Sequence, residues 1–108
     1  MIKYVALYRK PADAEDFDAK YFESHKPLID KVPGLVRQEI AKVARTFVPG
    51  FLGEHEPYLI AELYFESKDA MKAAFASPEW QASGANLTDI GGMELVAMFS
   101  AELVAEPE

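Results

Sequence analysis

Hydrophobic side chains along this chain follow a period of two in some stretches and a helical period in others, and the order of those stretches defines a fold. Ile2 to Arg9 is β-branched, aromatic and aliphatic and ends at Lys10-Pro11, which reads as a strand closed by a breaker. Its two faces, Ile2, Tyr4, Ala6, Tyr8 and Lys3, Val5, Leu7, Arg9, both carry apolar side chains, so neither is expected to be fully solvated. Asp13 is placed to cap a helix with Glu15 and Asp16 in its first turn. That helix is predicted to run to Pro33-Gly34. Leu35 to Thr46 alternates through Val36, Gln38, Ile40 and Lys42 and is read as the second strand, although its Arg, Glu, Ala and Lys also suit a helix. Phe47 to Pro57 holds two glycines and two prolines and is predicted to be a loop. Phe47, Phe51 and Leu52 are too apolar for full exposure there, so the loop is expected to fold back as a flap or to serve an interface.

Tyr58 to Glu66 is a strand with apolar side chains on both faces, interrupted by Glu62. Ser67 caps a short helix with Met71, Ala74 and Phe75 inward. Ser77-Pro78-Glu79 opens another helical turn that carries Trp80 to about Ser83. Ala85 to Gly92 is expected to be a loop, Glu94 to Ala105 the last strand, and Glu106-Pro107-Glu108 an acidic tail. The order is strand, helix, strand, strand, helix, strand. This is the βαββαβ arrangement of a ferredoxin-like α+β sandwich, a four-stranded antiparallel sheet with helices on one face. Two helices cover only one face, so a second subunit is expected to cover the other.

Composition narrows the function. The 108 residues, half of them apolar, suffice for one domain. Eleven basic against eighteen acidic residues give a formal charge of −7, which repels nucleic acid and anionic lipid. The chain has no cysteine, which removes disulfides, thiolate catalysis and cysteine-ligated metal sites. No apolar run approaches a membrane span and no cleavage site follows the first strand, so a cytoplasmic protein is expected. No phosphate-binding glycine loop, nucleophile elbow or HExxH pattern occurs, and neither a metal site nor a bound cofactor is expected.

The candidate chemistry lies in the first helix. At about 100° per residue, Phe17, Tyr21, His25, Leu28 and Val32 share a narrow sector flanked by Phe22 and Ile29. Lys20, Glu23, Lys26, Asp30 and Lys31 lie outside it. His25 thus sits inside an apolar stripe, and Pro27, which removes a donor and crowds the Glu23 carbonyl, should kink or restart the helix where the histidine projects. Such a residue suits a pocket base, or a core histidine hydrogen-bonded to a backbone carbonyl. His55, in a Gly/Pro/Glu-rich segment, is expected to be solvated. Glu62 and Glu102 are acids on apolar strands, read either as a second catalytic group or, for one of them, as an ion-pair partner of Arg37, Arg45 or Lys42 across the sheet or the dimer interface.

The run Y-F-x-x-H-x-P-L at Tyr21, Phe22, His25, Pro27 and Leu28, followed by V-P-G-L at Val32 to Leu35 and preceded by the strand Y-V-A-L-Y-R-K-P, resembles the EthD family of dimeric α+β barrel proteins. The resemblance implies a homodimer whose sheets pack face to face, with a small apolar cavity in each subunit, and members found in pathways that handle hydrophobic small molecules. Its histidine and proline map onto His25 and Pro27. Related barrels include cofactor-free oxygenases, lactone isomerases, polyketide cyclases and haem-degrading enzymes, so the fold does not choose a reaction. Three readings stay open. In the first, His25 is the acid or base of an enzyme acting on an aromatic or polyketide-like substrate, with Tyr8, Tyr21, Tyr64 or Trp80 shaping the site and Phe22, Pro27 and Leu28 beside it. In the second, the cavity only binds or carries such a molecule as a pathway accessory. In the third, the protein is an oxidoreductase, cofactor-free or with His25 on haem iron and Trp80 against the porphyrin.

Overall fold

The computed structural model describes residues 1–104; Ala105, predicted to end the last strand, and the acidic tail Glu106-Pro107-Glu108 lie outside the described residues. Strands β1 (Ile2–Arg9), β2 (Arg37–Lys42), β3 (Pro57–Phe65) and β4 (Val96–Glu102) form one antiparallel sheet in the order β2-β3-β1-β4. This is the expected βαββαβ sandwich. β1 has the predicted bounds. β4 is shorter than Glu94 to Ala105 because it pairs only with β1, from Tyr8 opposite Val96 to Ile2 opposite Glu102. A 3₁₀ turn over Gly92–Glu94 precedes it. β2 is likewise shorter than Leu35 to Thr46, because its partner β3 begins at Pro57, which has no amide hydrogen to extend the ladder. A bulge at Tyr58 shifts the β1–β3 register and turns that ring toward the helices, where its hydroxyl donates to Asp18 at 2.9 Å.

Helix α1 (Ala14–Lys20) opens on Asp13, whose carboxylate accepts the Asp16 amide. At Pro27 the helix neither breaks nor simply kinks. It widens into a π turn over Tyr21–His25, where the Lys26 amide bonds the Tyr21 carbonyl, and resumes as α2 (Lys26–Ile29). Pro27 has no hydrogen to give the Glu23 carbonyl, so one bond of this turn is missing whatever the winding, and the wide turn falls where it forfeits least. The extra residue changes the helical phase. A straight helix would bring Leu28 into the inward stripe, whereas the wide turn buries Ile29 beside Phe17, Tyr21, His25 and Val32 and leaves Leu28 half-exposed. The helix ends at Ile29, short of the expected Pro33-Gly34. Pro33 cannot donate to the Ile29 carbonyl and bars Val32 from helical angles, and the Val32 amide takes that carbonyl instead.

Ser67 caps α3 (Lys68–Phe75) and Ser77 caps α4 (Pro78–Asp89), each hydroxyl accepting an amide of the first turn. α4 is a full helix of 12 residues. Residues 85–89 are therefore helical, against the expected Ala85 to Gly92 loop. All helices pack on one sheet face, where Ile2, Ala6, Tyr8, Leu59, Ala61, Leu63 and Phe65 meet Phe17, Tyr21, Ile29, Ala74 and Leu87. Burial of each large side chain there contributes about 1.5–3 kcal/mol. The opposite face carries Val5, Leu7, Ile60, Ala97 and a half-exposed Phe99. Lys3 and Glu62 form an ion pair of 2.5 Å on this face, and Glu102 pairs with Lys68. Within the subunit neither acid takes the predicted Arg37, Arg45 or Lys42, because cross-strand register and the α3 start set the partners. The 47–56 segment is a loop as expected, but Phe47 and Phe51 are 80% and 89% exposed, with the Arg45 guanidinium 4.9 Å from the Phe47 ring centroid.

Candidate functional site

Between the helices and the sheet lies a cavity of about 140 Å³. β1 supplies Tyr4, Ala6 and Tyr8, the π turn supplies Tyr21 and His25, and α4 supplies Trp80, Ser83, Gly84 and Leu87. Cavities near 150 Å³ lined by carbon stay dry and accept a benzene-sized guest, while drug-sized ligands need about 300 Å³ or more. The size therefore suits a single ring. Met93 and Met98 also line it and are 41% and 45% exposed, which places the mouth at the β4 edge. No Lys, Arg, Asp or Glu lines the cavity, so a bound anion would find no counter-charge there.

His25 is 5% exposed and held by one polar contact, Nδ1 to Asn86 Oδ1 at 3.1 Å. The proton on this contact is fixed by a chain of bonds. The Ser24 hydroxyl donates to the Lys20 carbonyl at 2.6 Å, and Asn86 Nδ2 donates to Ser24 Oγ at 3.3 Å. That commits the Asn86 amide group and leaves its carbonyl oxygen facing the ring. A carbonyl oxygen only accepts, so Nδ1 carries the hydrogen and Nε2 carries the lone pair. No buried side-chain nitrogen or oxygen among the described residues lacks a partner, and Nε2 makes no protein bond. It is therefore accessible, from the cavity that the ring lines. Burial holds the His25 pKa below 6.5 against the smaller opposing effect of Asn86, which keeps the imidazole neutral at pH 7.

The phenols complete the site. Tyr58 and Tyr64 bond carboxylates, whereas Tyr4, Tyr8 and Tyr21 line the cavity, the Tyr8 and Tyr21 hydroxyls paired with each other. Burial pushes Tyr4 up to about 12 and raises Tyr8 and Tyr21 further. The Tyr8 and Tyr21 rings meet edge to face at 5.6 Å, and Tyr21 stands 5.1 Å from the His25 ring. All three stay protonated near neutrality, so Tyr4 and one member of the Tyr8–Tyr21 pair keep a hydrogen to donate into the cavity. Trp80 stacks on Phe75 at 4.2 Å and meets the Tyr4 ring edge-on at 5.0 Å, which fixes that wall.

Of the residues singled out in the sequence, His25, Tyr8, Tyr21 and Trp80 line the cavity and four do not. Phe22 and Pro27 face outward and Leu28 is displaced by the π turn. Tyr64 lies on the opposite sheet face, where its hydroxyl donates to Glu39 and the Arg37 guanidinium sits 4.1 Å from its ring centroid. His55 is exposed, as expected. Tyr4, Ile29, Leu87 and Asn86 were missed. The alternation of β1, with Tyr4 on the face of Ala6 and Tyr8, was a usable signal for the first. Among the described residues no group of three or more His, Asp and Glu side chains could hold a metal ion, and no helix is long and apolar enough to cross a membrane.

The fold and its cavity define a ferredoxin-like α+β protein with an uncharged, largely apolar cavity between helices and sheet. The model of the EthD domain matches residues 9–90, and the chain belongs to the EthD family. It is 32% identical over 109 residues to an uncharacterized 11.0 kDa protein of the thcB–thcC intergenic region in Rhodococcus erythropolis, covering 99% of this chain and 100% of that protein. A solved structure of an EthD family protein from Bacillus halodurans superposes with a TM-score of 0.84 at 30% identity, over 96% of this chain and 99% of the other. SnoaB, a cofactor-independent oxygenase from Streptomyces nogalater, shares the fold with a TM-score of 0.63 at 14% identity, over 99% and 94% of the two chains.

Replacing Asn86 with Ala releases the tautomer. The imidazole nitrogen-15 shifts of His25 should show a hydrogen on Nδ1 in the wild type and a mixture in Asn86→Ala. Loss of the bond should lower stability by about 1–3 kcal/mol in urea melts. An Nε2–H tautomer in the wild type would refute the assignment.

Proposed function

We propose that the cavity binds a small neutral molecule with a single aromatic ring and that His25 Nε2 removes a proton from a carbon beside its carbonyl group. The observation that carries this reading is the buried His25 ring, bonded through Nδ1 to Asn86 and lining the same uncharged cavity as Tyr4, Tyr8 and Tyr21. The C–H electron pair becomes the enolate π bond, Tyr8 or Tyr21 donates a hydrogen bond to the enolate oxygen, and the proton moves to Nε2. The resulting imidazolium keeps its Nδ1–H on the Asn86 carbonyl, which stabilises the positive charge. Return of the proton to carbon closes the cycle. The likeness to SnoaB adds that a chain of this fold can act without a cofactor. A haem macrocycle is far larger than the cavity beside His25, and the residues there do not fit one.

Acetophenone, a neutral ring with an enolisable ketone, is a direct probe. It should raise the melting temperature, whereas benzoate should not, and the protein should speed deuterium uptake at its methyl group in heavy water. The rate should be level above pH 6.5 and fall only below it, as Nε2 is protonated. A melting shift without deuterium uptake would leave a carrier, and neither response would overturn the reading.

We also propose that a second copy covers the open sheet face, with Phe99 at the contact and the Lys3–Glu62 pair near its rim. Stable interfaces bury about 800 Å² per partner. Sedimentation at micromolar concentration should show a dimer, and Phe99→Glu should give a folded monomer. A wild-type monomer would contradict this.

A further inference from the structure

Five of the six glycines have a local reason to be glycine. Gly34, Gly50, Gly53 and Gly91 adopt positive φ, and a Cβ on Gly92 would fall 2.5 Å from Leu87 Cδ1. Gly84 has neither reason. It lies inside α4, where glycine is a poor helix former, and a Cβ built on it meets no atom within 4 Å. The helix shows where that empty space is. Trp80, Ser83, Gly84 and Leu87 follow the i, i+3, i+4, i+7 spacing of one face, and all four line the cavity. The corresponding stripe of the first helix carries Phe17, Tyr21 and Ile29, all buried. On α4 the middle of the stripe is missing a side chain.

We propose that Gly84 determines ligand size: the absent side chain keeps open the part of the cavity that the ligand ring occupies, and the helix gives up stability for that space. The inference rests on the cavity being a ligand site. Gly84→Ala and Gly84→Leu test it, because both replacements are strong helix formers. Each variant and the wild type would be melted with and without phenol, a neutral single ring. Without phenol, Gly84→Ala should melt above the wild type. The phenol-induced rise should be largest in the wild type, smaller in Gly84→Ala and absent in Gly84→Leu. A full phenol response in Gly84→Leu, or a Gly84→Ala melting point below the wild type, would overturn the role of Gly84 and leave the cavity reading standing. A wild type indifferent to phenol would remove the cavity reading and this inference with it.

Discussion

Pro27 has no amide hydrogen for the Glu23 carbonyl, and the placement of the site follows from that. The helix absorbs the missing bond in a π turn over Tyr21–His25, and the added residue brings His25 back into line with Phe17 and Tyr21. In a straight helix the histidine would drift toward the edge of the stripe and Leu28 would take the central place. A residue outside the cavity thus sets what the cavity contains. Its effect reaches the site through helical phase and not through contact, which is why Pro27 can be exposed and still matter.

The second determinant is a contact between helices far apart in sequence. Asn86 on α4 meets His25 and Ser24 of the π turn, and Ser24 is tied to Lys20. These bonds hold the two helices in register and choose the imidazole tautomer at the same time. The surrounding wall of tyrosines, aliphatic side chains and Trp80 offers no charge. An imidazole there stays neutral because the charged form would lose its hydration, while the Asn86 carbonyl remains available to the cation that a proton transfer would create.

Alternation and capping carried most of the fold. The two-faced pattern of Ile2 to Arg9, the Asp13, Ser67 and Ser77 caps and the breaker at Pro33-Gly34 were enough to order the elements. The stripe of the first helix put His25 and Tyr21 inside. What stayed hidden depended on partners. The lengths of β2 and β4 are set by β3 and β1, and the two faces of Tyr58 to Glu66 are both so apolar that Tyr64 was assigned to the wrong side. The segment Ala85 to Asp89 looked like a loop because Asn, Thr and Asp are weak helix formers. Its helical state comes from Leu87 packing into the core. Asn86 could not be paired with a histidine sixty-one positions away without the fold.

The account turns on Nε2 of His25 as the base. The most direct measurement is the rate of deuterium uptake into acetophenone by His25→Ala, compared with wild type at equal concentrations of folded protein. General-base catalysis contributes about a hundredfold or more. A fall of that size in a protein that still melts cooperatively, partly restored by added imidazole, is the predicted result. An unchanged rate in folded His25→Ala would contradict the account.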